Sequence, residues 1–319
     1  MPLTLEQYAD YLDTRDLPWP MAPAPQPAKA KPHVAAMPGI RAVSWDLYGT
    51  LLCIASGELL FTHPTKFVME TALEKTVQEF KMWGSMTRKP GQPSEYMGQI
   101  YDKVLTEQKM APSPGEKYPE IQADKIWEAI VKKLLQKEYK FDAGFFGSLN
   151  EYSRKIAYFF QASLQGTRAN DGAVRALEHV HSCGLVQGLI ADAQCFSLTQ
   201  LQRGLKAHGG TRSVDEWFPA DVRALSFEQR GRKPSERLFK HFLAGAARRG
   251  VQPSEVLHIG PRMDKDIVPA KRLGMRTALF AGDKESVQAT REQVKDPATR
   301  PDALLTDLTQ VVDMIMPTG

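Results

Sequence analysis

The residues able to do chemistry stand at the ends of short apolar runs. Asp46 closes AVSWD ahead of Leu-Tyr-Gly-Thr, Ala191 and Asp192 end LIAD, Ser226 follows RAL, and Gly260 ends VLHIG. The last of these opens a loop from Pro261 to Asp266 that carries two acids, Asp264 and Asp266. Lys233, in RGRKPSERLF, stands just before a helix start, between two of the run ends. A lysine among several carboxylates is a reactive combination. The cation neutralises an anionic substrate or keeps a nucleophilic carboxylate ionised, and acidic loops hold a divalent metal. The pattern points to a hydrolytic crevice.

These residues meet only if the ends of the apolar runs meet, and the second half of the chain has the grammar for that. Helix 173–183, closed by Gly184, leads to LVQGLIAD, and helix 197–208 leads through TRSVDEWFPADV to RALS. Helix 234–249, opened by Pro234 and closed by Gly250, leads to VLHIG, and helix 266–273, closed by Gly274, leads to TALF. DALLT with DLTQVVDMI adds another unit. Repeated helix-strand units predict an α/β fold with a parallel sheet covered on both faces, whose ligands sit outside the carboxyl ends of the strands at a topological switch point. Residues 58–168 have a different texture, long and polar with helical period. Ile126, Trp127, Ile130, Val131, Leu134 and Leu135 share one face, as Phe67, Leu73, Val77 and Phe80 do less regularly. This stretch is expected to be a helical insert. At the start, the candidate helix TLEQYADYLDTR runs into seven prolines between Pro18 and Pro38. Residues 1–38 therefore read as a helix and a Pro/Ala-rich linker, loosely packed or a docking segment for a protein partner.

At 42% hydrophobic and 24% charged, the 319 residues have globular usage and enough chain for one large domain or two modest ones. Basic and acidic residues, 41 against 37, are mixed along the chain, without the single-sign block of a nucleic-acid arm. Nucleic acid is not implied as a partner. Cys53, Cys183 and Cys195 are scattered with no C-x-x-C pair, so neither a disulfide framework nor a zinc site is expected. The N-terminus lacks the basic and apolar regions of a signal peptide, and no run reaches the ~18 apolar residues of a membrane span. The expectation is a soluble, cytoplasmic chain with no membrane partner.

SWDLYGTLL resembles the first motif of the haloacid dehalogenase (HAD) superfamily, an apolar strand followed by D-x-D/x-G-T-L. GRKPSERLF is similar to its third motif and VLHIGPRMDKDIVPAKRLGMRTALF to its fourth, while the helical insert is similar to its cap. The resemblance covers about residues 40–315. It implies a Rossmann-like parallel-sheet core, 39–57 and 169–319, with an inserted helical cap domain, 58–168. It further implies hydrolysis of a small phosphorylated metabolite through a covalent aspartyl intermediate. Asp46 would be the nucleophile and Lys233 its charge stabiliser, with Gly49, Thr50, Ala191 and Asp192 at the substrate. Mg²⁺ would sit among Asp46, the Tyr48 carbonyl, and Asp264 or Asp266.

The sequence departs from that pattern in three places. Tyr48 stands where most family phosphatases have a second aspartate as proton donor, and a phenol of pKa ~10 is a poor general acid at neutral pH. The second motif offers Ala191 or Asp192 in place of Ser or Thr, and the fourth reads Gly260-Pro261 in place of Gly-Asp. The first-motif tyrosine is also found in 2-haloacid dehalogenases, which attack carbon without a metal, but their Ser-Asn runs are missing here. A dehalogenase-like hydrolase and a non-catalytic binding protein stand as alternatives. Arg88, Lys89 and Lys117 of the insert are candidates to meet an anionic substrate.

Overall fold

The computed structural model describes residues 1–85, 92–111 and 113–315. Among these the strands are β1 (Ala42–Trp45), β2 (Leu52–Ile54), β3 (Thr167–Ala169), β4 (Val186–Ala191), β5 (Arg223–Leu225), β6 (Val256–Gly260), β7 (Arg276–Phe280) and β8 (Ala303–Leu305). Six of them form one sheet in the order β5-β4-β1-β6-β7-β8, and every neighbouring pair is parallel. β1 is central, with Trp45 beside Leu189 on one side and Ile259 on the other. The chain builds outward from β4 to β5 on one flank and from β6 through β7 to β8 on the other. The order therefore reverses at β1, and a crevice opens beyond its carboxyl end. β1 and β6 are buried along their whole length, as strands covered on both faces must be.

β2 and β3 make a small antiparallel pair where the chain leaves and re-enters the sheet domain. Between them the helices Lys66–Glu79, Pro93–Met110, Ala123–Leu135 and Leu149–Leu164 close around an apolar core of their own that includes Leu73, Met97, Trp127, Ile130 and Phe160. Periodicity overreached at two positions: Phe67 and Leu135 are exposed, each at a helix end where the buried stripe runs out.

The N-terminal segment is packed. Its helix, Leu5–Asp13, starts on a Thr4/Gln7 capping box and buries Tyr8, Ala9 and Leu12 in the apolar core of the insert. Arg203 pairs with Asp10 at 2.7 Å and with Asp13. Further on, the Ala28 N–H donates to the Ala281 carbonyl at 3.2 Å, and His33 and Leu304 exchange backbone hydrogen bonds at 2.9 Å. The prolines do prevent helix, as expected, but an extended backbone is what the open edge of β8 accepts. Residues 1–38 thus pack against both the helices of the insert and the edge of the sheet, unlike the loose linker that composition suggests.

Candidate active site

Asp46, Lys233 and Asp266 converge on the crevice at the end of β1. The Lys233 Nζ donates to Asp46 Oδ1 at 2.6 Å and also to Asp266 Oδ1. All three side chains are at most 2% exposed. Each is placed by an element the sequence encodes. The Asp46 N–H continues the β1 ladder onto the Ile259 carbonyl at 2.8 Å. The Lys233 N–H donates to Asp192 Oδ1 at 2.7 Å. Asp266 rises under the end of β6 because Gly260 has no side chain: a Cβ there would lie 2.4 Å from the Asp266 Cγ. Beneath, Ser44 Oγ and His258 Nδ1 are 2.9 Å apart.

Burial disfavours every charge in this cluster, and the pairings decide which survive. Burial would raise Asp266, but contact with Lys233 outweighs it and holds that carboxyl well below the usual range. For Lys233 burial likewise loses to Asp266 and Asp46, and its ammonium stays charged above the ordinary lysine value. Asp46 goes the other way, its carboxyl pushed up by burial despite Lys233. Asp266 is the fixed counter-charge, and Asp46 is the carboxylate whose charge the surroundings hold less firmly.

Arg262 and Glu120 are two residues that sequence reasoning missed. Arg262 lies 3% exposed and turns its guanidinium back over the site. Nη1 donates to Asp46 Oδ2 at 3.3 Å and Nη2 to the Gly57 carbonyl, while its backbone N–H donates to Asp266 Oδ2 at 3.0 Å. Asp46 is therefore held between two cations. Glu120 comes from the insert and lines the same cleft as Asp46 and Arg262. A bridge between Pro119 and Gly231 and a 2.8 Å hydrogen bond from the Arg232 N–H to the Tyr118 carbonyl pin its strand-like segment to the stretch before Lys233. Burial and then the nearby Asp192 push the Glu120 carboxyl up to about 7. The cleft has a volume of ≈ 20 Å³, room for about one water. Glu58, Leu59 and Phe61 wall it from the insert side. In this arrangement the cleft has no room for a molecule much larger than water.

Other expected site residues lie elsewhere or act differently. Tyr48 lines the cleft, but its hydroxyl is buried against Ser197 Oγ at 2.8 Å and Gln200 Oε1 at 2.5 Å. Burial drives its pKa far above the ordinary phenol, so it is no proton donor to the cleft. Tyr48→Phe is expected to change turnover by less than about threefold. It should cost about 1–3 kcal/mol of stability, from the buried polar partners left behind; parallel kinetics and melts would check both. Gly49 and Thr50 build the turn after Asp46, the Gly49 N–H donating to the Leu52 carbonyl at 2.7 Å, and neither lines the cleft. Ala191 is buried as the last residue of β4, and Asp192 and Ala193 line the cleft in its place. Ser226 Oγ accepts from the Ala193 N–H at 2.8 Å, tying the end of β5 to that loop. Lys117 lines a separate surface groove, and Arg88 and Lys89 lie outside the described residues.

The expected magnesium set does not assemble. Asp264 is exposed and accepts from Gln293 Nε2 at 2.9 Å, on the opposite side of the turn from Asp266. Both Asp266 oxygens are engaged, one by Lys233 and one by the Arg262 N–H. A guanidinium occupies the second oxygen of Asp46. Among the described residues no group of three His, Cys, Asp or Glu side chains is placed to hold a metal ion. The donors present do not fit Mg²⁺.

Residues 231–311 match a family model described as HAD-hydrolase-like, a span that includes Lys233 and Asp266. A 2-haloacid dehalogenase of Pseudomonas syringae pv. tomato has the same fold, with a TM-score of 0.50 at 18% identity over 85% of this chain and 96% of that one. The fold is that of the HAD superfamily. Two further HAD structures are similar at lower scores. A HAD phosphatase of Thermococcus onnurineus gives 0.44 at 15% identity, over 84% of this chain and 94% of that one. The magnesium-bound HAD hydrolase YfnB of Bacillus subtilis gives 0.41 at 14%, over 84% and 95%. No curated protein matches the sequence. A likeness at 18% identity shows the fold alone and leaves the substrate class open. Among the described residues no helix is long and apolar enough to cross a membrane.

Proposed function

We propose that the chain is a hydrolase of a small anionic substrate, with Asp46 as covalent nucleophile. The observation that supports this reading is the placement of Asp46 between Lys233 and Arg262, its carboxylate on a cleft at the end of the central strand. Opposed cations align both oxygens and offset the charge of an approaching anion. For a phosphate ester, Asp46 attacks phosphorus, the P–O bond to the leaving group breaks, and that oxygen takes a proton. Glu120, on the same cleft, supplies the proton that Tyr48 does not; water then opens the aspartyl phosphate.

A carbon-centred displacement is the second reading, and the misfit of a divalent ion favours it. Attack on the carbon of a 2-haloacid expels halide, which needs no proton, and the substrate carboxylate pairs with a guanidinium. The test is the purified chain in EDTA and in Mg²⁺ against phosphate-ester and 2-haloacid panels, with Asp46→Asn as control. Phosphate release lost in the variant supports the first reading, and halide release supports the second. Silence on both panels from a folded protein favours a HAD-fold binding protein.

The phosphate-ester reading carries a pH prediction. Glu120 must be protonated to act as acid, so kcat/KM should fall as pH rises through about 7. In Glu120→Gln that limb should disappear and the rate drop by ~10²–10⁴-fold for alkyl phosphates. Aryl esters whose leaving group needs no proton should be almost unaffected. Equal losses on both ester classes would remove Glu120 from the chemistry.

A further inference from the structure

We infer that Arg262 takes the place of a divalent ion in this cleft, so that the site binds the anionic group of its ligand through a guanidinium and without metal. The word hydrolase rests on the reading of Asp46 given above, but the cation and its anion do not. Geometry comes first. The Arg262 backbone is fixed by Asp266 Oδ2, and its side chain reaches Asp46 Oδ2 and the Gly57 carbonyl, bridging the carboxylates that would otherwise share a metal. The Gly57 carbonyl is held in a left-handed turn, φ +67°, where a Cβ would lie 2.4 Å from the Glu285 carbonyl oxygen. That acceptor is built into the backbone.

Charge comes second. Lys233 and Arg262 balance Asp46 and Asp266 in a group that is almost wholly buried. A divalent ion added among these four side chains would put two further positive charges on a balanced, buried group, and the other carboxylates of the cleft, Glu58, Asp192 and Glu120, are already engaged by Lys265, the Lys233 N–H and the Ile121 N–H. Pro261 supplies no acid to offset them, and Asp264 faces outward. An unsatisfied donor comes third. The Arg262 Nε–H is buried and has no hydrogen-bond partner among the described residues, although the side chain lines the cleft. Buried guanidinium N–H groups are nearly always satisfied, and an anionic oxygen is the acceptor that suits one best. The ligand class is a small phosphate or carboxylate.

Two titrations on the full chain test this. Mn²⁺, followed by its electron paramagnetic resonance signal, is expected not to bind the wild type below ~10 mM. Inorganic phosphate and acetate, followed by calorimetry in EDTA, are expected to give at least one binding isotherm, weakened ~10-fold or more in Arg262→Ala and less in Arg262→Lys. Submillimolar Mn²⁺ binding that Asp266→Asn abolishes would overturn the inference. So would the failure of both anions to bind, or affinities in EDTA that the alanine variant leaves unchanged. Should that variant not fold, the wild-type Mn²⁺ titration and the lysine variant still decide. A chain that binds anion through Arg262 yet turns over neither substrate panel would sustain this inference and sink the hydrolase.

Discussion

Asp46→Asn is expected to reduce turnover by on the order of 10⁴–10⁶-fold, the range found when a covalent hydrolase loses its nucleophile or that nucleophile's partner. The amide keeps the shape of the carboxylate but neither its charge nor its nucleophilicity, and neither neighbouring aspartate is free to replace it. Asp266 is tied to Lys233 and to the Arg262 backbone, and Asp192 is turned to the Lys233 N–H. Residual activity above that range would mean that Asp46 is not the attacking group. The neutral side chain leaves the cluster one positive charge in excess, so a melt must accompany the kinetics to show cooperative unfolding. Single turnover in ¹⁸O-water then separates the two chemistries. Water opens an acyl phosphate at phosphorus, which leaves the label in phosphate. It opens a carboxylic ester at the carbonyl carbon, which leaves the label in Asp46. Mass analysis of the peptide containing Asp46 reads the difference.

What was legible in the sequence followed from the sheet. Once apolar runs alternate with helices, a parallel sheet and its crevice follow, and Asp46 and Lys233 are bound to lie near that crevice because each sits at a strand end or a helix start. The choice between Asp264 and Asp266 was not legible. They are two residues apart in a loop that folds as a π-helical turn, Met263–Ile267, burying Met263, Asp266 and Ile267 and leaving Asp264 outside. Arg262 was hidden by type: a basic residue in a loop defaults to solvent, and its hydrogen bonds to Gly57 and Asp46, 205 and 216 positions away in sequence, turn it inward. Glu120 was hidden for the same reason. Its partner segment, around Gly231, lies on the far side of the insert in sequence, and no local pattern announces so distant a pairing. The proline-rich leader shows the limit of composition, since proline forbids helix but says nothing about an extended segment finding a sheet edge.

Lys233→Met should damage the fold severely. The lysine is the shared counter-ion of Asp46 and Asp266, and every group in the contact is buried. Its removal leaves two carboxylates facing Arg262 and the His258 ring, whose Nε2 lies 3.6 Å from Asp266 Oδ1, and breaking a buried pair on one side costs about 3–5 kcal/mol. The loss should depend on pH in a definite direction. In the variant one carboxyl is driven to hold a proton, so its folded pKa rises above the unfolded value. A group raised in this way contributes stability at low pH that is lost as pH increases. The gap in melting temperature between wild type and Lys233→Met should therefore narrow as the pH is lowered from 8 to 5. The double variant Lys233→Met/Asp266→Asn sharpens the argument. It leaves Asp46 and Arg262 as a balanced pair, so at least half of the lost stability should return, a coupling that a double-mutant cycle reads directly. Activity should not return, because Asp46 Oδ1 has lost the ammonium that orients it. If the double variant is no more stable than the single, the charge of Asp266 is not what Lys233 offsets. If it regains turnover, Lys233 serves the fold alone, and the nucleophile needs only Arg262.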